Sequence, residues 1–420
     1  MTSAEFQRQL REVAEIAGNQ VRLGDRWLLN LASNNYLGLS NDPRVQRAAV
    51  EAIQQWGTGT GSSPLLSGFT SLHQSLAQTI SDWKTGALTA AELAGQGTGI
   101  KSESRSVAIR TLLFPCGYSA NLAALNALLE ENAQVFADRK NHASLVDGLR
   151  MAKTDRARMT VRYYRHRDFL DLARLLEQSD ARRPRWIVTD SVFSMDGTCT
   201  RPSDLGELVA RFEARLLIDE AHATGVMGSH GAGLFSFETD MNEPALWRDG
   251  RPQFAVVGTL SKALASVGGF FTGPADLVDQ MTQMARPLIY STSLPASSVA
   301  AAMAAIKLSI AEPWRRSAVQ QNTATLHAEL TKQGWKTIGD PTAPLLAVVV
   351  GDHHAAKHLA DALMESGIWA PAIRPPTVKP LECRIRLSPT ATMTINEIQS
   401  VIKVFATMPA SLREGGTHVH

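Results

Sequence analysis

Between Arg110 and Thr259 the chain alternates short apolar runs with segments whose apolar residues recur at helical spacing. Arg110–Phe114, Gln134–Ala137, Val161–Tyr164, Trp186–Thr189, Arg215–Asp219 and Phe254–Thr259 read as strands. Ser119–Glu130, His142–Ala152, Asp168–Gln178 and Asp204–Phe212 read as helices. The third of these carries Phe169, Leu172, Leu175 and Leu176 on one face. This β-α-β-α rhythm predicts an α/β fold with a mostly parallel sheet covered by helices on both faces. Such sheets collect ligands at the carboxyl ends of their strands. Residues that carry chemistry are therefore expected there.

The pattern changes after about Ser297. A long helix from that point, a second over Trp314–Gln333, strands Leu345–Val350 and Arg384–Leu387, and helices Ala355–Ser366 and Asn396–Met408 describe a smaller α+β domain. The expected organisation is an N-terminal segment (1–50) with an amphipathic helix and a short strand, a large domain (51–296), a small domain (297–412) and a flexible tail (413–420). A chain of 420 residues is long enough for this division. Thr85–Ser106 and Gly228–Gly250 lack periodicity and read as loops.

Several function classes are excluded. Lys and Arg number 42 against 40 Asp and Glu, so no broad basic face exists for nucleic acid. No run of 18 apolar residues could span a membrane, and the start has no basic-then-apolar leader pattern. Cys116, Cys199 and Cys383 are few and widely spaced. They suggest neither a zinc site nor a disulfide framework, and suit a reducing cytoplasm. No metal site is expected; His418 and His420 read as tail residues. A nucleotide-hydrolysing reading needs GxxxxGK[ST], which is absent, and no dinucleotide-type glycine motif follows an early strand.

The strand ends supply the remaining candidates. Val257–Thr259 leads into Leu-Ser-Lys262. Taken alone, Lys262 is a surface lysine; desolvated, it would be a Schiff-base amine. Asp219 ends a strand and is followed by His222, and alone could be a turn or cap acid. Phe114-Pro-Cys-Gly-Tyr118 is a strand, a glycine turn and a helix start, which can be an ordinary connection or a phosphate cradle. His142 sits at another helix start. Together these give an amine, an acid, two histidines and a phosphate cradle. Pyridoxal phosphate requires such a set.

The chain resembles the α-oxoamine synthases, a family of fold-type I pyridoxal phosphate enzymes. The resemblance spans Leu29 to Met408 and rests on five motifs in order. They are Ser33-Asn-Asn-Tyr-Leu-Gly-Leu39, Asp190-Ser-Val-Phe-Ser-Met-Asp-Gly197, Asp219-Glu-Ala-His-Ala-Thr-Gly225, Gly258-Thr-Leu-Ser-Lys262 and Tyr290-Ser-Thr-Ser-Leu-Pro295. Ala372-Ile-Arg-Pro-Pro-Thr-Val378 is similar to the alanine-using members of biotin biosynthesis. The resemblance implies decarboxylative condensation of L-alanine with a pimeloyl thioester, on CoA or acyl carrier protein, to 8-amino-7-oxononanoate. A glycine-using relative (2-amino-3-oxobutyrate CoA ligase or 5-aminolevulinate synthase) is the nearer alternative. A catalytically silent binding paralogue is the other; such chains tend to lose the lysine that Lys262 supplies.

The family's roles carry over residue by residue. Lys262 would hold the cofactor and shuttle protons. Asp219 would pair with the pyridine nitrogen, and His142 would stack on the ring. His222 and Ser194 would hydrogen-bond the ring's phenolic oxygen. Gly117 and Tyr118 amides and the Thr259 hydroxyl would bind the phosphate, with Thr292 reaching it from the partner subunit of a homodimer. Arg374 would take the alanine carboxylate in a forked contact, with Asn34 a further substrate contact. The chain departs from the family in the Thr85–Ser106 insertion, read as a surface loop, in Pro64 where relatives often carry Arg, and in Lys379 where they often carry Pro. His73 and Cys116 are read as structural.

Overall fold

The structure, a computed structural model, describes residues 10–88, 107–238 and 243–413. Residues 89–106 of the Thr85–Ser106 insertion and the tail from 414, with His418 and His420, lie outside the described residues.

The chain begins with a small antiparallel ribbon: β1 (Glu15–Ala17), β2 (Gln20–Leu23) and β3 (Arg26–Asn30). Helix α1 (Pro43–Trp56), amphipathic and running past the expected end of this segment, is capped by Asp42, whose side chain accepts from the Arg44 N–H. Helix α2 (Ser71–Lys84) precedes the insertion.

Next comes the predicted alternation: β4 (Ile109–Phe114), α3 (Gly117–Leu128), β5 (Gln134–Asp138), α4 (Ala143–Thr154), β6 (Thr160–Tyr164), α5 (Phe169–Glu177), β7 (Arg185–Asp190), α6 (Pro202–Phe212) and β8 (Arg215–Asp219). After β8 a two-stranded ribbon, β9 (Trp247–Arg248) and β10 (Arg251–Pro252), leads to β11 (Phe254–Thr259) and β12 (Gly269–Pro274). Seven strands form one sheet in the order β4-β12-β11-β8-β7-β5-β6. It is parallel except for β12, which runs antiparallel between β4 and β11. Strand alternation splits the core: Trp186, Val188, Leu217 and Val257 pack under α3 and α4, whereas Ile187, Leu216, Ile218 and Val256 pack under α5 and α6. Helices α7 (Ala275–Met284), α8 (Arg286–Ile289) and α9 (Ala296–Ala311) follow.

Helix α10 (Pro313–Lys332) leads into β13 (Thr337–Ile338), β14 (Leu346–Gly351), α11 (His353–Glu365), β15 (Ile368–Trp369), β16 (Ala372–Ile373), β17 (Cys383–Leu387) and α12 (Ile395–Thr407). β13-β14-β17-β16 make a second sheet, and β15 pairs in parallel with β3.

The chain divides into two compact units. The larger is Leu39–Phe193 with Cys199–Pro313; the smaller comprises the described residues of Met1–Gly38, Ser194–Thr198 and Trp314–His420. Helix α9, which by sequence order would begin the second domain, lies in the larger unit. Its alanine-rich surface packs on α1, and packing decides membership where the sequence shows only succession. Among the described residues no helix is long and apolar enough to cross a membrane.

Candidate active site

In the larger unit the carboxyl ends of β7, β8 and β11 gather the expected groups. Register places Asp190, Asp219 and Val257 side by side on adjacent strands. Asp219 is almost fully buried, and its carboxylate is held at both oxygens. Oδ1 accepts from the Ala221 N–H at 2.8 Å, and Oδ2 accepts from Asn121 Nδ2 at 2.6 Å. Asn121, on α3, also donates to Ser144 Oγ at 2.9 Å, while its own Oδ1 is buried without a partner. Charge-assisted bonds of this kind fix a carboxylate's direction.

His142 caps α4. Its main-chain N–H donates to Asp190 Oδ2 at 2.9 Å, and its ring Nδ1 lies 2.7 Å from Ser144 Oγ. The Tyr118 ring meets it edge-on at 6.3 Å, and the Tyr118 hydroxyl donates to Asp147. Burial lowers the His142 pKa, Lys262 lowers it further and Asp219 opposes, so the imidazole is held toward its neutral form. His222 is buried in the turn after Asp219. Lys262, half-buried after β11, lies close enough to act electrostatically on both His142 and Asp190.

The candidate phosphate cradle lies at the start of α3. Cys116 is the N-cap, and its sulfur accepts from the Ser119 N–H at 3.4 Å. Gly117 lies against Thr259, with 3.3 Å from the place of a Cβ to the threonine Cβ. The Thr259 hydroxyl donates to the Gly268 carbonyl at 2.9 Å, and its other neighbour, 2.7 Å away, is the exposed Ser261 hydroxyl. Ser261, unassigned from sequence, therefore donates its hydroxyl to Thr259 at this corner. Gly269 is required by close approach: a Cβ there would stand 2.4 Å from the Cys116 carbonyl carbon.

Asp190 was part of a motif but carried no role. Burial first, and Asp219 beside it second, raise its pKa well above the ordinary carboxylate range. A raised folded pKa favours the native state at low pH, an advantage lost as pH rises through that value. In apoprotein, Asp190→Asn keeps an acceptor for the His142 N–H. It should raise the melting temperature at pH 8, with the gain shrinking toward about pH 4. An equal gain at both pH values in scanning calorimetry would contradict this account.

Asn34, Ser194 and Arg374 fall in the smaller unit. Asn34 Oδ1 accepts from the Tyr36 O–H at 3.2 Å and from Arg386 at 3.1 Å. Arg386 also donates to the Ser194 carbonyl at 3.3 Å, and its Nε is buried without a partner. Arg374 is half-buried, close enough to lower the Cys383 pKa, which burial raises. Sequence reasoning missed Arg386. The available signal was a pair of arginines, Arg384 and Arg386, inside a strand buried throughout.

Thr292 is exposed on the segment after α8. It lines a largely apolar cavity of about 180 Å³ together with Leu65, Phe69, His73 and Pro115. His73 is buried and structural, as expected: its Nε2 lies 2.9 Å from the Leu294 carbonyl and its Nδ1 caps α2 with Thr70. Pro64 lines the same cavity.

The aminotransferase class I and II family matches residues 26–405. Two Bacillus subtilis proteins are similar over most of their length. 8-Amino-7-oxononanoate synthase 2 is 37% identical over 89% of this chain and 86% of its own. 8-Amino-7-oxononanoate synthase 1 is 35% identical over 94% and 91%. Among solved structures, a serine palmitoyltransferase from S. paucimobilis with bound PLP–myriocin aldimine superposes with a TM-score of 0.82 at 25% identity, covering 97% of this chain and 94% of that one. The fold is thus the fold-type I α/β architecture that the sequence predicts, and the chain belongs to the aminotransferase class I and II family.

Proposed function

We propose that this chain is a pyridoxal phosphate-dependent acyltransferase that condenses L-alanine with a pimeloyl thioester, releasing carbon dioxide and the free thiol and yielding 8-amino-7-oxononanoate for biotin synthesis. The observation that carries the reading is the cluster at the sheet's carboxyl end: Asp219 fixed by Asn121, His142 held neutral beside it, and Lys262 within electrostatic reach. The names of relatives at 35–37% identity support the product. Lys262 argues against a catalytically silent paralogue.

The residues present fit the cofactor. The open amides of Gly117 and Tyr118 at the start of α3 suit a phosphate, aided by the local helix dipole. Thr259 and Ser261 add hydroxyl groups there. Asp219 would face the pyridine nitrogen and retain its proton; the two donors on the carboxylate stop it from turning away. His142 would lie against the ring, its orientation set by Ser144 and Asp190. His222 and Ser194 would donate to the ring's phenolic oxygen. When bound, pyridoxal phosphate supplies an electron-withdrawing ring that accommodates the electron pair left at the alanine Cα. Lys262 Nζ would then remove and return protons at that carbon.

Arg374 would bind the alanine carboxylate as a two-pronged donor, with Asn34 Nδ2 beside it. Arg374→Ala should raise the KM for alanine about 10- to 100-fold, the worth of a charge-assisted pair, with a smaller change in kcat. An unchanged KM in steady-state assays would remove Arg374 from this role. The protein would work as a cytoplasmic homodimer, Thr292 of one protomer meeting the phosphate bound by its partner. The exposed Thr292, beside exposed Leu65, Phe69 and Tyr290, supports this arrangement.

The test is a matrix of amino acids and thioesters on purified, cofactor-loaded protein. Alanine with pimeloyl-CoA or pimeloyl-acyl carrier protein should give product. Turnover of glycine alone would assign the chain to the glycine-using relatives.

A further inference from the structure

Beneath the candidate site lies a second charged pair that the proposed chemistry does not use. Asp219 and Glu220 are consecutive, so their side chains leave the strand end on opposite faces. Asp219 meets Asn121 on α3; Glu220 points the other way, into the interior. There Lys84 Nζ, on the last residue of α2, donates to Glu220 Oε2 at 2.5 Å, and both side chains are 0% exposed. Lys84 Nζ also stands 5.7 Å from the centre of the Phe270 ring.

The pair organises everything around the turn that follows Asp219. Glu220 Oε1 accepts from the Phe235 N–H at 2.8 Å. The Glu220 carbonyl accepts from the Thr224 N–H at 2.8 Å and the Ala223 N–H at 3.0 Å, which closes the turn carrying His222. The Lys84 carbonyl accepts from the Phe237 N–H at 2.7 Å and from Ser236 Oγ at 3.1 Å. Gly233, at φ +104°, passes so close that a Cβ would fall 2.0 Å from Glu220 Oε2. Gly225 packs on Ala263, the residue after Lys262, with 2.8 Å from the place of its Cβ to that of Ala263. One carboxylate thus ties the Asp219–His222 turn, the Gly225–Phe237 loop and the end of α2 into a single unit.

Fully buried ion pairs rarely add net stability over an apolar replacement, whereas loss of one partner leaves an uncompensated charge. A pair kept at this place therefore points to geometry. We propose that Lys84 and Glu220 are positioning residues: their ion pair fixes the turn that presents Asp219 and His222 to the cofactor ring. The proposal rests on the assignment of Asp219 and His222 to that ring.

The experiment is titration of apoprotein with pyridoxal phosphate, together with the visible circular dichroism of the bound cofactor. The variants are Glu220→Gln, Lys84→Met, the charge-free double Lys84→Met/Glu220→Gln, Asp219→Asn and Val401→Ala. Val401 is buried in the smaller unit's core and serves as a control for lowered stability. Glu220→Gln should weaken cofactor binding about tenfold and diminish its circular dichroism, beyond any effect of Val401→Ala. The double variant removes the unpaired charge but also lacks the ion pair, so it should stay about as weak as Glu220→Gln. If Lys84→Met fails to fold, Glu220→Gln and the double variant carry the test. Losses in Glu220→Gln no greater than the control's, or a double variant restored to wild-type binding, would overturn the proposal. An unaltered circular dichroism spectrum in Asp219→Asn would instead overturn the ring assignment on which it rests.

Discussion

Lys262→Ala should lower turnover by at least about 10³-fold and abolish the absorbance band of covalently held cofactor, because in the proposed reaction one side chain would supply both the attachment and the proton transfer. Its place explains the expected size. Lys262 follows directly on the Leu260–Ser261 corner after β11, and its carbonyl accepts from the Ala265 N–H at 2.9 Å, so the backbone carrying the amine is fixed. Among the described residues no other lysine occupies this strand end. Exchange of the alanine α-proton for solvent deuterium gives a separate measurement, and it should stop in the variant. Retention of both exchange and the absorbance band would remove Lys262 from the mechanism.

Asp219→Asn should be nearly as damaging to turnover, with a loss of about 10²- to 10⁴-fold, while cofactor remains bound. An opposite charge at hydrogen-bond distance shifts a pKa by about one to three units, and the neutral amide forfeits that hold on the pyridine proton. The Asn121 and Ala221 donors would still meet the asparagine oxygen, so the geometry should survive the change in charge. The signature is therefore retained pyridoxal phosphate content with slow α-proton exchange. Unchanged turnover would show that the ring nitrogen is served by another group.

Much of this was legible in the sequence because the central strands are buried on both faces. β8 and β11 fall at the expected bounds, since Leu216–Ile218 and Val256–Val257 are apolar without alternation. The strand that was missed is β12. Gly-Phe-Phe-Thr-Gly-Pro reads as a turn, and it becomes a strand only through pairing with β4 and β11, whose contacts are distant in sequence. The ribbon β1–β3 also escaped, apart from one short strand, although its pairings are local.

In the site, motif spacing pointed to Asp219, His142 and Lys262, which the fold gathers. Asn121 was silent. It is one polar residue on an apolar helix, and its function is visible only once α3 lies over the end of β8. Arg386 was hidden because charge in a short strand reads as exposure, yet this arginine is almost fully buried. Supporting residues of this kind act through tertiary neighbours, so local sequence carries little trace of them.

The close approach of β12 to the cradle has a consequence for substitution tolerance. A side chain at Gly269 would strike the Cys116 backbone, and one at Gly258 would come within 2.2 Å of the Phe270 ring. Neither glycine offers a functional group. In a saturation scan both should nevertheless score as intolerant as Lys262, for reasons of space alone. Soluble yield separates the two kinds of intolerance: Lys262 variants should accumulate as folded protein, whereas bulky replacements at Gly269 should not.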